Sequence, residues 1–356
     1  MIWNVGELVF VFLISTITSF LVTPIIIYLS KKLNVVDQPN SNRKLHKEIK
    51  PTLGGLAILA GSIAGYVYLQ PVHPQMYAII IGALIMISVG VLDDLLELRP
   101  LYKLIGQITA AIVVVQSGLV IDKMTLPFIG TVYLESIGII LTILWIIAAS
   151  NVINIIDGLD GLAAGVTTIA LLSILVMGFM DHRVIVVYLS IMLIGSIIGF
   201  LPFNFYPSKI FMGDTGSLFL GYSIAIISML GLFKNVAFFS FAIPIVVIAV
   251  PVFDTVLAII RRKLNNQSIA EADRKHIHYE LVNMGYSHRA SVLIIYGFSV
   301  YFGVLAVFFN SGTLLTSLIL LIASFIGIKL IMEIAGIKLE KPKAKVRNIN
   351  SRGNRY

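Results

Sequence analysis

The sequence predicts an all-α integral membrane protein, a polytopic bundle of about eleven transmembrane helices, and three observations carry that prediction. The 356 residues are 58% hydrophobic and only 12% charged, against roughly 25% charged in soluble domains. The apolar excess is held in uncharged runs at 8–30, 51–92, 104–121, 136–156, 161–180, 184–208, 215–233, 235–253 and 290–328, each meeting the ~17–25 residues of one helical crossing. The basic residues between the runs sort to alternate loops. A spanning backbone must satisfy its own hydrogen bonds, which selects helices.

The run 8–30 has no basic residue before it and Lys31-Lys32 after it. Lacking the charged leader of a cleavable signal, it is expected to stay as a membrane helix with its N-terminus outside. The 42-residue run 51–92 is broken by Pro71, His73 and Pro74, and the 39-residue run 290–328 by Asn310, Ser311 and Gly312. Two helices for each of these and one for each other run give the eleven spans. Residues 122–135 carry β-formers around Pro127 and Gly130 and predict a short external β-hairpin. Residues 1–337 read as one integral domain, and 338–356 as a basic, disordered cytoplasmic tail held near anionic lipid.

The formal net charge of +8 raises the question of nucleic acid, but its placement answers against it. With the N-terminus outside, one set of loops holds Lys31, Lys32, Arg43, Lys44, Lys47, Lys50, Arg99, Lys103, Lys209, Arg261–Lys263, Arg274, Lys275 and Arg289, and the tail adds seven more. The opposite loops hold Lys123, Arg183 and Lys234. This asymmetry puts the basic side and the C-terminus in the cytoplasm. Cysteine is absent, which removes disulfide, thiolate and Cys-metal chemistry.

Of the 18 carboxylates only Glu7, Asp122, Glu135 and Asp181 fall outside. Asp93, Asp94 and Glu97, then Asp157 and Asp160, then Asp214, then Asp254 bring acids from four separate span ends to the cytoplasmic face. One Asp alone reads equally as a helix cap. A cluster at the hydrocarbon boundary needs cations, and a hard divalent ion such as Mg²⁺, held by carboxylates and substrate phosphates, suits it. Asn151, Asn154 and Asp157 recur every three residues along one helix side, before Gly158 and Gly161. The plainer reading there is a helix stop, with Asp160 capping the next span.

Asn204 opens a second polar stretch in which Phe211 precedes Gly213-Asp214-Thr215-Gly216 at a span start. Backbone N–H groups there suit a phosphate, and Phe211 suits stacking on a base or a place in the interfacial aromatic belt. In the loop 261–289, His276 and His278 lie two apart, which does not put both on one helical face and makes a poor zinc site. Imidazolium and Arg274 contacts to a diphosphate are the functional reading, a solvated loop the plain one.

Together these motifs resemble the polyprenyl-phosphate N-acetylhexosamine-1-phosphate transferases: Asp93-Asp94, Asn-x-x-Asn-x-x-Asp-Gly-x-Asp-Gly at 151–161, Phe-Met-Gly-Asp-Thr-Gly-Ser at 211–217 and His-x-His at 276–278. The resemblance extends from Arg43-Lys44-Leu45-His46 and Pro-x-x-Gly-Gly at 51–55 through residue 289. It implies transfer of a sugar 1-phosphate from a UDP-sugar to undecaprenyl phosphate at the cytoplasmic face of a bacterial inner membrane, releasing UMP. The pentapeptide-specific branch of peptidoglycan synthesis has three successive His followed by Phe-Glu, whereas Ile277 interrupts the motif here and Tyr279-Glu280 follow. UDP-GlcNAc is therefore the implied donor, as in the branch that starts teichoic acid or O-antigen synthesis.

By the same resemblance, Asp214 is the first candidate ligand for Mg²⁺, or for Mn²⁺ in its place, with Asp94 or Asp157 beside it. Asp93 is the candidate to accept the proton of the lipid phosphate, with Asp94 in support, and Asp157 and His276 complete the catalytic set. Asn151, Asn154, Asp160, Asn204 and Phe211 are expected to line the uridine and ribose pocket. His276, His278, Lys47 and Arg274 are expected to meet phosphates. Membrane lipids are partners of such a chain, and a homodimer is an admitted assembly. The competing classes are an ion or lipid transporter, which would place acids at the bilayer midplane rather than at one face, and an inactive scaffold.

Overall fold

The computed structural model describes residues 4–37, 49–126, 130–231, 242–264 and 276–336. The chain is a polytopic helical membrane protein, with eight helices among the described residues long and apolar enough to cross a bilayer. These are α1 (Val5–Lys32), α3 (Met76–Leu96), α5 (Glu135–Ile156), α6 (Leu162–Met180), α7 (Val184–Asn204), α8 (Gly213–Gly231), α12 (His288–Ser311) and α13 (Leu314–Ile334). Two further apolar helices, α2 (Gly55–Leu69) and α4 (Pro100–Gln116), are shorter. Pro100 opens α4 where its missing N–H costs nothing.

The two long runs divide where the sequence breaks them. The first separates α2 from α3 across 70–75, and the second ends α12 at Ser311 before Thr313 caps α13 through Thr316 N–H. The run 235–253 behaves differently, because its described part forms α9 (Ala242–Val247) and α10 (Ala249–Leu264), and α10 continues past the apolar run into Arg261-Arg262-Lys263. A short helix, α11 (Ile277–Asn283), precedes α12. The expected hairpin forms as β3 (Lys123–Leu126) antiparallel to β4 (Gly130–Tyr133). The tail 338–356, Lys47 and Arg274 lie outside the described residues.

A second strand pair, β1 (Val36–Asp37) with β2 (Lys50–Pro51), has no counterpart in the sequence reading. It leads into a seam where Phe211 N–H donates to Pro51 O at 2.8 Å, Gly54 N–H to Phe211 O at 3.0 Å and Gly55 N–H to Met212 O at 2.9 Å. The loop before α8 is thereby fixed to the start of α2.

Helix α8 is almost wholly buried and packs on α3 and α5. Small residues set the close approaches, as expected where lipid gives helices no hydrophobic reason to associate. A Cβ on Gly61 of α2 would lie 2.6 Å from Ser15 O of α1, and one on Gly221 of α8 would lie 2.5 Å from Ala149 O of α5. Tyr222 of α8 donates to Ile79 O of α3 at 2.8 Å. These contacts lock α8 against the helices whose ends carry the acids.

Candidate active site

The C-terminal ends of α3, α5 and α7 and the N-terminal ends of α4, α6 and α8 meet at one end of the bundle, and the acids meet there with them. Successive residues on a helix point about 100° apart, so Asp93 and Asp94 serve different neighbours. Asp94 faces α8: Oδ1 accepts from Asp214 N–H at 2.9 Å, and Oδ2 accepts from Thr215 N–H at 3.1 Å and Thr215 Oγ1–H at 2.6 Å. It thus satisfies the free N–H groups of another helix, where a negative charge also opposes the positive end of the helix dipole. Gly213 makes this approach possible, since its φ is +70° and a Cβ there would lie 2.6 Å from Asp94 Oδ2.

Asp93 faces α4. Its Oδ1 accepts from Leu98 N–H at 3.0 Å, and its Oδ2 lies 3.4 Å from Lys103 Nζ. Lys103 also bonds Asp214 Oδ2 closely and reaches Asn154 Oδ1 at 3.3 Å. Asn154 returns its amide to Asp214 Oδ1 at 2.7 Å and to Ser217 Oγ at 2.8 Å. Lys103 is thus the cation at the centre of the acids. The sequence reading counted it only as a cytoplasmic base; its place one turn into α4 after Arg99-Pro100 was the available signal.

Asp157 caps α5 with its backbone N–H donating to Ile153 O at 3.3 Å, while its carboxyl group makes no hydrogen bond or ion pair with any described residue. Desolvation, followed by the charges of Asp214, Asp94 and Asp160, pushes its carboxyl up to about 8. Asn151, expected beside it in a ligand pocket, instead exchanges amide bonds with Gln107 of α4 and donates to Ile147 O. Asn204 is buried and donates to Ile210 O at 3.0 Å, holding the loop before α8, while its Oδ1 has no partner. Phe211 is half-buried beneath Lys50, whose Nζ is 5.4 Å from the ring centroid.

The plainer reading of Asp160 as a helix cap does not hold: Gly161 caps α6, and Asp160 accepts from Ser208 N–H at 2.9 Å with Lys50 Nζ at 3.6 Å. The two histidines do come together, contrary to the spacing argument. His276 precedes α11 in extended backbone, so its ring stacks on that of His278 at 5.8 Å and 4°. His278 is 1% exposed with neither ring nitrogen bonded, and desolvation pushes it down to about 4. The imidazolium expected there gives way to a neutral, packed ring, because burial penalises the charge. His276 Nδ1 is 2.9 Å from Asp254 Oδ2, a pairing the sequence reading did not propose.

Among the described residues no three His, Asp or Glu side chains are grouped so as to hold a metal ion by themselves. Of the carboxylates expected beside Asp214 at the ion, Asp94 is turned onto the start of α8. The donors still fit Mg²⁺ or Mn²⁺, hard ions that take one or two carboxylates beside substrate phosphates. Asp157 offers a carboxyl group with no side-chain partner, which a bound cation would ionise, and Asp214 offers a carboxylate now paired with Lys103.

Residues 76–232 match a sequence profile of glycosyl transferase family 4. A probable undecaprenyl-phosphate N-acetylglucosaminyl 1-phosphate transferase of Bacillus subtilis (strain 168) is 45% identical over 340 residues, 95% of this chain and 94% of the relative. The chain belongs to glycosyl transferase family 4. Within this family, a decaprenyl-phosphate N-acetylglucosaminephosphotransferase of Mycobacterium tuberculosis (strain ATCC 25618 / H37Rv) is 34% identical over 339 residues, 85% of this chain and 83% of the relative. The undecaprenyl-phosphate alpha-N-acetylglucosaminyl 1-phosphate transferase of Escherichia coli (strain K12) is 28% identical over 301 residues, covering 81% and 79%. The family match spans α3 through α8, the segment that carries Asp93, Asp94, Asp157, Asp160 and Asp214.

Proposed function

We propose that this family 4 transferase moves GlcNAc-1-phosphate from UDP-GlcNAc to undecaprenyl phosphate, giving undecaprenyl-diphosphate-GlcNAc and UMP. The observation that carries the reading is the gathering of Asp93, Asp94, Asp157 and Asp214 with Lys103 at one end of the bundle, in a chain so similar to named GlcNAc-1-phosphate transferases. An oxygen of the lipid phosphate attacks the phosphorus bearing GlcNAc, the bond from that phosphorus to the UMP oxygen breaks, and UMP leaves with the electron pair.

Two phosphates must approach each other, so charge is the main barrier to lower. Lys103 supplies a cation among the carboxylates, and Asp93, whose Oδ1 accepts from Leu98 N–H, takes the proton of the lipid phosphate in this reading. Asp94 holds the start of α8, and with it Asp214, in register. His276, and Lys47 and Arg274 beyond the described residues, are assigned to phosphates, and Phe211 to the uracil face. Bound Mg²⁺, held by Asp214 and Asp157, would neutralise diphosphate oxygens and the departing UMP.

The reading puts the N-terminus outside and the site at the cytoplasmic face of a bacterial inner membrane, and the uneven distribution of basic residues between the loops supports it. In this reading α2, α4 and the α9–α10 segment also cross, which makes eleven crossings among the described residues with the eight long helices. Such an enzyme performs the first membrane step of a cell-envelope polymer.

The test uses purified protein in detergent with Mg²⁺ and undecaprenyl phosphate, given UDP-GlcNAc or UDP-MurNAc-pentapeptide in parallel. UMP and lipid-linked product from UDP-GlcNAc alone are expected. Product from the pentapeptide alone would reassign the donor, and no UMP from any UDP-sugar would overturn the transferase reading. Sizing the same preparation distinguishes monomer from homodimer.

A further inference from the structure

The acids of the proposed transfer site do not account for one buried carboxylate. Asp254 lies within α10 at 2% exposure, and both its oxygens are engaged. Oδ1 accepts from Ile277 N–H at 2.9 Å and Oδ2 faces His276 Nδ1 at 2.9 Å. A carboxylate only accepts, so Nδ1 carries the hydrogen and Nε2 is left as the free nitrogen. Nε2 makes no hydrogen bond to any described residue.

Burying a carboxylate is costly, and a pin between α10 and α11 would need only the Ile277 N–H bond. The second oxygen is used to orient an imidazole. That imidazole stacks on His278, which in turn lies against the turn at Gly158, where a Cβ would sit 3.0 Å from His278 Cδ2. Gly158 directly follows Asp157. The pair of rings thus joins Asp254 to the turn beside the acid cluster.

We propose that Asp254 is a positioning residue that fixes the tautomer and orientation of His276, so that Nε2 takes up a proton and the resulting imidazolium, held at Nδ1–H by Asp254, donates Nε2–H to a phosphate of the donor substrate. This rests on the transferase reading for its kinetic consequence, but the tautomer itself does not depend on that reading. Carboxylate partners of this kind matter to the function of the histidine they hold, by roughly 10- to 100-fold where such pairs support metal ligands.

The experiment pairs a spectroscopic with a kinetic readout on the full-length protein. Nitrogen-15 NMR of histidine-labelled protein, with His276 assigned by its loss in His276→Gln, is expected to show the Nδ1–H tautomer. Asp254→Asn keeps an acceptor oxygen for Ile277 N–H but offers an amide to the ring, and is expected to shift His276 toward Nε2–H. Its kcat should fall roughly 10- to 100-fold with KM for the UDP-sugar little changed, and Asp254→Glu should recover part of the loss. The double variant Asp254→Asn/His276→Gln should be no slower than His276→Gln alone.

An Nε2–H tautomer in the unmodified protein, unchanged kcat in Asp254→Asn, or fully additive losses in the double variant would overturn the proposal. Should Asp254→Asn fail to fold, the tautomer of the unmodified protein and the partial recovery in Asp254→Glu still decide it. Absence of UMP release in every preparation, with the Nδ1–H tautomer present, would overturn the transferase reading and leave the pairing standing.

Discussion

Asp94 of α3 caps a helix other than its own, accepting both the backbone N–H and the hydroxyl of Thr215 near the start of α8. Two spans of the bundle are joined at the point where the chemistry is proposed to occur. A carboxylate at the boundary is tolerated there because three donors, including Asp214 N–H, satisfy it.

Replacing Asp94 with Ala is expected to destabilise the protein by about 2–3 kcal/mol, the usual cost of losing charged hydrogen bonds and orphaning helix N–H groups. Turnover should be lost as well, because Asp214 loses its register. Thermal unfolding in detergent beside UMP release checks this, and an unchanged unfolding temperature would remove Asp94 from the positioning role.

Lys103 neutralises Asp214 and Asp93 when no other cation is present. In Lys103→Met those carboxylates lose their partner, so the variant should be less stable in chelator and gain more stability from added Mg²⁺ than the unmodified protein does. Unfolding temperatures across a Mg²⁺ titration give the comparison. Equal Mg²⁺ gains in both proteins would show that Lys103 and the metal do not share ligands.

Asp214→Asn keeps the shape that Asn154 and Lys103 pack against but removes the charge. Turnover is expected to disappear while the unfolding temperature stays near that of the unmodified protein. Substantial residual UMP release would take Asp214 out of the proposed metal site.

His278 is held neutral in the fold, with its ring pushed down from 6.5 to about 4. Because the folded value lies below the unfolded one, its contribution is fully present above pH 6.5 and is lost as pH falls from there toward 4. The loss should reach about 3 kcal/mol at the acid end. Unfolding measured at pH 7 and pH 5 should show a fall that His278→Leu reduces; equal pH dependence in the two proteins would assign the fall to other groups.

The apolar runs were enough to place the eight helices long enough to cross among the described residues, because a bilayer requires about 20 apolar residues per helix whatever they pack against. The strand pair Val36–Asp37 with Lys50–Pro51 was not legible, since two-residue strands leave no period to read. The spacing of His276 and His278 misled for a related reason: helical periodicity does not apply to a residue that precedes its helix.

The acids followed the same division. That Asp93, Asp94, Asp157 and Asp214 share one face was written in the alternation of spans, and the motifs in order carried the family. Which acid does what was not. Asp93 and Asp94 are adjacent in the chain, yet one meets Lys103 and the other Thr215, because a helix turns about 100° between them and different helices wait on each side. The sequence by itself determined a helical membrane bundle with acids from several spans at one end. The tertiary structure decided that Lys103 sits among those acids, that Asp94 holds a helix and that Asp254 holds His276, since each partner lies tens of residues away and only packing brings it near.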